Sequence, residues 1–92
     1  MEIEFDPAKR QQVLDERGLD LAEAGRLFDG FHLVRSDPKH SMEELRFHAL
    51  GLLDQDVVIV AWTWRGPRRR IITMWKANER ERERYFEAQG RS

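Results

Sequence analysis

The chain has no cysteine. That excludes a disulfide framework, a cysteine metal site and a thiol nucleophile, and it points to the cytoplasm. No apolar run is long enough to span a bilayer, so no membrane role is expected. Met1-Glu2-Ile3-Glu4 lacks the basic and apolar regions of a signal peptide. Prolines number three and glycines six. The glycines are isolated, so there is no flexible linker and no glycine-rich phosphate loop ahead of a helix. No serine stands in a nucleophile-elbow context. The three histidines, His32, His40 and His48, form no i,i+4 pair on a helix, and neither a metal nor any other cofactor is expected. Ninety-two residues make one small domain, 1–92, with a modest core that a partner can complete.

What the chain does have is concentrated in residues 55–77. Val57 to Trp64 is apolar almost throughout, Arg65-Gly66-Pro67-Arg68-Arg69 is a basic turn, and Arg70 to Ala77 returns as a second β-rich run. This predicts a hairpin whose first strand is covered on both faces and lies at the sheet centre. Five basic residues and no acid lie between Arg65 and Lys76, with Trp62, Trp64 and Trp75 in or beside them. Cations offset phosphate charge and flat rings stack on bases, so the hairpin suits a nucleic acid. A core hairpin with a solvated basic turn explains the same residues. The net charge of −1 conceals an uneven distribution: residues 1–64 hold seven Lys/Arg against thirteen Asp/Glu, and residues 65–92 hold nine against four. The basic end calls for an anionic partner, or is attracted by the acidic one.

In chain order, Ile3-Glu4-Phe5 reads as a short edge strand. Asp6-Pro7 opens a helix that Gly18 stops, with Val13 and Leu14 facing inward. Asp20 opens a second helix with Glu23 in a capping box, and Leu21, Ala24, Leu27 and Phe28 form its buried stripe up to Gly30. Strands follow at 31–35 and 45–52, with Arg46 and His48 on one face and Phe47 and Ala49 on the other. Asn78 and Glu81 box the start of a densely charged last helix, whose thin apolar side implies light docking. The predicted class is α+β in the order β-α-α-β-β-β-β-α, with an antiparallel sheet and helices mainly on one face.

One chemistry fits these residue types. RNA carries its own nucleophile, the 2′-OH. A protein need only align it, move a proton and stabilise the phosphorane, and arginine or lysine does the last without a metal. Arg46, Arg70, Lys76 and Arg80 supply cations, and His40 or His48 a proton carrier. Each has a structural alternative as a solvated charge or an ion-pair partner.

The sequence also resembles the BrnT family of bacterial type II toxins, RelE-like ribonucleases paired with a BrnA antitoxin. The resemblance runs from Phe5-Asp6-Pro7-Ala8-Lys9 through Gly18, Ala24 and Phe28-Asp29 to Asp37-Pro38-Lys39-His40-Ser41, Glu44 and Arg46. It continues at Gly51, Arg70-Ile71-Ile72, Lys76-Ala77, Glu81 and Tyr85. It implies a RelE-like α+β fold and metal-independent mRNA cleavage. It further implies neutralisation by a BrnA-like antitoxin, contact with promoter DNA only through the antitoxin complex, and the ribosome as a further candidate partner. On this view Arg46, His48, Arg70, Lys76 and His40 are catalytic, and Trp75, Arg80, Tyr85, Arg68 and Arg69 bind substrate. Four positions depart from the family pattern. Glu16-Arg17 replace Lys-His before the glycine, Val13 replaces an asparagine, and Trp75 stands where the family strand ends in arginine. The competing expectations are a catalytically impaired module of the same fold, kept for nucleic-acid or antitoxin binding, and a structural domain without a nucleic-acid role.

Overall fold

A computed structural model describes residues 2–37, 39 and 45–91. Among them are five strands and three α-helices in an α+β arrangement: β1 (Ile3–Phe5), α1 (Pro7–Arg17), a 3-10 turn (Leu21–Glu23), α2 (Ala24–Asp29), β2 (His32–Ser36), β3 (Arg46–Leu53), β4 (Asp56–Arg65), β5 (Arg68–Lys76) and α3 (Glu79–Arg91). The sheet order is β1-β5-β4-β3-β2. The apolar run Val57–Trp64 is therefore the central strand, as its two-sided burial requires.

The local signals explain most boundaries. Asp6 Oδ1 accepts the Ala8 amide and Pro7 takes the first helical position. Gly18, at φ 69°, lets the chain leave α1 in a left-handed conformation. Gly66, at φ 59°, precedes Pro67 in the two-residue β4–β5 turn, a pairing that positive φ at the first turn position favours.

Several expectations need correction. The sheet is mixed, because β1 runs parallel to β5 while β2 to β5 form an antiparallel meander. The second helical stretch is split into the 3-10 turn and a six-residue helix. Asp20 caps Ala22 and also takes a two-pronged contact from Arg10 at 2.7 and 2.9 Å, while Glu23 turns to Arg26 instead of closing a box. Helices also cover both faces. Val13, Leu21, Ala24, Leu27 and Phe28 pack on Ala49, Val58, Val60, Trp62, Ile71 and Met74. The opposite face carries Leu50, Val57 and Ile59 under Tyr85 of α3. Leu14, expected inward, is exposed.

Gly51 sets the approach of α2 to the sheet. A Cβ there would lie 2.7 Å from Leu27 Cγ, so any side chain would push the helix away. Asn78 and Glu81 form the expected reciprocal box at the start of α3, with contacts of 2.8 and 3.0 Å. Among the described residues no helix is long and apolar enough to cross a membrane.

Candidate active site

α3 covers only half of its face. Cross-strand register divides that face into rows. Leu33, Leu50, Ile59 and Trp75 form the row bordering the helix. The next row is Arg35, His48, Ala61 and Thr73, and beyond it come Arg46, Thr63 and Arg70, continued by Glu4 of β1. The Arg35 row and Arg46 line an open cleft of about 550 Å³ that also includes Asp37, Lys39 and Trp75. A smaller hollow of about 250 Å³ continues from it past Arg70 to Asp6 and Lys9, with Arg46 and Ile72 shared between the two.

Arg70 reaches this face because β5 is irregular. Thr73 pairs with Ala61 and Ile71 pairs with Trp62, leaving Ile72 as an extra residue. In a regular strand Ile71 would share the face of Thr73 and Arg70 would point to the helices. The bulge reverses both. Ile71 enters the helix-side core, and Arg70 falls opposite Thr63, which pairs with Arg46 on its other side. Two arginines thus flank one threonine on three adjacent strands, their Cα atoms about 10 Å apart by strand spacing.

His48 organises the neighbouring row. Its ring is 9% exposed. Arg35 Nε–H donates to His48 Nδ1 at 3.2 Å, which makes Nδ1 the acceptor and leaves Nε2–H facing Asp37 Oδ2 at 3.3 Å. Burial is the first cause that pulls the His48 pKa below its ordinary value, Asp37 opposes it and Arg35 adds to it. Trp75 meets the ring edge-on at 5.2 Å. The second arm of Arg35 reaches Glu81 at 3.1 Å, and Asp37 Oδ1 accepts the Lys39 amide. A polar chain therefore runs from the α3 cap across the sheet to the β2–β3 connection.

The sequence candidates divide by position. Arg46, His48, Arg70 and Trp75 come together, while His40 lies outside the described residues. Lys76 is on the other side of β5, 3.6 Å from Asp56. Arg80 is exposed near the start of α3, away from the cleft lining. Tyr85 is buried and donates its hydroxyl to the Phe31 carbonyl at 2.9 Å; burial raises its pKa. Arg68 sits at the hairpin tip against Glu2. Arg69 faces the helices, its guanidinium 4.2 Å from the Phe28 ring centroid.

The sequence reading missed Arg35, Asp37, Thr63 and Thr73. The period-2 spacing of Leu33, Arg35 and Asp37, set antiparallel to His48, was a usable signal for two of them. It also missed Arg17, which reaches over the edge of β5 that β1 leaves uncovered and donates to Thr73 Oγ1 and the Met74 carbonyl. Among the described residues no three His, Asp or Glu side chains converge as metal ligands would.

The fold and the cleft define a small α+β protein with a cationic, aromatic-walled face suited to a phosphodiester chain. Residues 5–81 match the model of the ribonuclease toxin, BrnT, of type II toxin–antitoxin systems, and the chain belongs to that family. The match spans every described residue that lines the cleft. Membership implies an RNA substrate and an antitoxin partner. No curated protein matches the chain.

Proposed function

We propose that this chain is a RelE-like, metal-independent mRNA endonuclease acting in the cytoplasm. The observation that carries the reading is the Arg46–Thr63–Arg70 row created by the Ile72 bulge. Two guanidinium groups on one open face can hold a scissile phosphate and stabilise the charge that develops as the 2′-O–P bond forms and the P–O5′ bond breaks, the 2′ proton passing through solvent to the leaving 5′ oxygen. Trp75, at the cleft wall, offers an aromatic surface to a neighbouring base. His48 has both ring nitrogens engaged and serves to position Arg35 and Asp37 rather than to carry the proton. A BrnA-like antitoxin neutralises the toxin by covering this face, promoter DNA is contacted through the antitoxin complex, and the ribosome presents the message.

The test is cleavage of single-stranded RNA by the purified chain in the presence of EDTA. Arg46→Ala and Arg70→Ala should each slow cleavage about 100-fold, the usual cost of one donor to a developing anion, while Lys76→Ala leaves the rate unchanged. Loss of activity in EDTA would refute metal independence. Equal effects of all three substitutions would place the site elsewhere.

A second reading, a catalytically impaired binding module, is favoured by Trp75 standing where the family strand ends in arginine. Tight RNA binding through Arg46 and Arg70 without cleavage would select it.

A further inference from the structure

The helix-facing side of the same hairpin holds a second aromatic and cationic group that the cleft does not use. Arg69 lies between two rings, its Cζ 4.2 Å from the Phe28 centroid and 4.8 Å from that of Trp64. Phe28 is buried and Trp64 is 48% exposed. The three groups form a stack that begins in the core and ends in solvent on a half-covered indole. Arg65 and Arg68, both exposed, flank it at the hairpin tip. Burial lowers the Arg69 pKa, and a guanidinium in a protein keeps its charge.

The position of Trp64 connects this stack to the cleft. β3 ends its pairing at Arg46 opposite Thr63, so among the described residues Trp64 and Arg65 have no strand partner on that side. Thr63 and Trp64 are consecutive and point to opposite faces. A chain held at Arg46 and Arg70 reaches Trp64 by passing around that end of β4.

We infer that Trp64, backed by Arg69, is a stacking subsite for an unpaired base of the RNA flanking the cleavage site. The inference rests on the reading of the cleft as the RNA site. Single-stranded RNA fits this surface better than a protein segment does. An indole laid on a guanidinium presents a flat face that any base can extend, and the basic tip beside it meets the backbone phosphates. A duplex would keep its bases stacked on each other and leave Trp64 unused.

The experiment compares two non-cleavable 2′-O-methyl RNA oligomers, one of about 4 nucleotides that fills the cleft and one of about 12 that extends beyond it, lengths within the range of single-strand binding sites. Affinity is read by fluorescence anisotropy for the full chain and for Trp64→Ala, Trp64→Phe and Arg46→Ala. Trp64→Ala should weaken the long oligomer about 10-fold or more and leave the short one unchanged, the size expected for one lost base stack. Trp64→Phe should restore most of the loss, and the long oligomer should quench Trp64 fluorescence. Thermal melting of Trp64→Ala, expected to match the parent because the ring is half exposed, checks that the variant folds. Arg46-dependent binding that is indifferent to Trp64 would overturn this inference alone. Failure of the parent to bind either oligomer would overturn the cleft reading with it. Weakening of the antitoxin complex with RNA affinity unchanged would assign the surface to a protein and overturn the inference.

Discussion

Arg35 and His48 lie side by side on β2 and β3, and the hydrogen bond between them fixes which nitrogen of the imidazole holds the proton. Protonation of Nδ1 would set two donors against each other and release Arg35 from the ring. The folded state therefore favours neutral His48, and its pKa lies below the ordinary value because of burial first. Below about pH 6.5 the unfolded chain takes up a proton that the folded one refuses. The stabilisation from His48 is thus complete above that pH and is lost as pH falls toward the folded pKa, at no more than about 1.4 kcal/mol per pH unit. His48→Gln, whose amide can both accept from Arg35 and donate to Asp37, should remove this slope in denaturant melts taken from above to below about pH 6.5 and keep most RNA cleavage. His48→Ala should lose both stability and cleavage. Cleavage abolished equally by Gln and Ala would identify His48 as a proton carrier.

Adjacent positions on β5 should answer substitution in opposite ways. Ile71→Ala opens a cavity in the helix-side core and should cost about 2–5 kcal/mol in denaturant melts. Arg70→Ala should change stability by less than about 1 kcal/mol while slowing cleavage. Deleting Ile72 should join Thr73 directly to Ile71 in regular alternation, so that Ile71 still faces the helices and Arg70 still falls opposite Thr63. The expected result is a folded chain in circular dichroism that keeps Arg70-dependent cleavage.

Trp75→Arg tests whether the family arginine can be restored. Trp75 packs against the cluster of Leu50, Val57, Ile59 and Tyr85 and touches the His48 ring. Its replacement should cost about 2 kcal/mol, on the order of 10 °C in Tm for a chain of this size. No gain in RNA cleavage is expected, because the new cation would share the cleft with Arg35. An increase in rate of about 100-fold at unchanged Tm would show instead that Trp75 occupies a lost catalytic position.

The attachment of α3 depends on a few groups. Among its described residues Tyr85 alone is buried, its hydroxyl on the Phe31 carbonyl, and Glu81 holds Arg35 at 3.1 Å. Tyr85→Phe should cost about 1 kcal/mol by removing one hydrogen bond. In amide exchange α3 should open faster while the β4 amides keep their protection.

Sequence patterns with a single physical cause were legible. The central strand followed from an apolar run too continuous for one covered face, and the α3 cap from Asn78 and Glu81 at the right spacing. The stripe of Leu21, Ala24, Leu27 and Phe28 was found because helical periodicity survives even where a 3-10 turn interrupts the helix. Features that depend on two distant segments were not legible. The parallel pairing of β1 is decided where β5 ends up, and nothing within Ile3–Phe5 encodes it. The bulge hides in Ile71-Ile72, two residues that suit either face of a strand equally well. Without it Arg70 and Lys76 look equivalent, although one lines the hollow that continues the cleft and the other lies on the opposite side of the sheet. Tyr85 resembled a rim residue because its aromatic ring carries no mark of what will cover it.

The pairing of β1 with β5 has a consequence for synthesis. Glu4 is made 66 residues ahead of its partner in the sheet, Arg70. The row that contains Arg46 and Arg70 therefore cannot assemble while the chain is still short, and closing so long a loop also slows folding. A nascent chain that has not passed Arg70 therefore carries one arginine of the pair without the other.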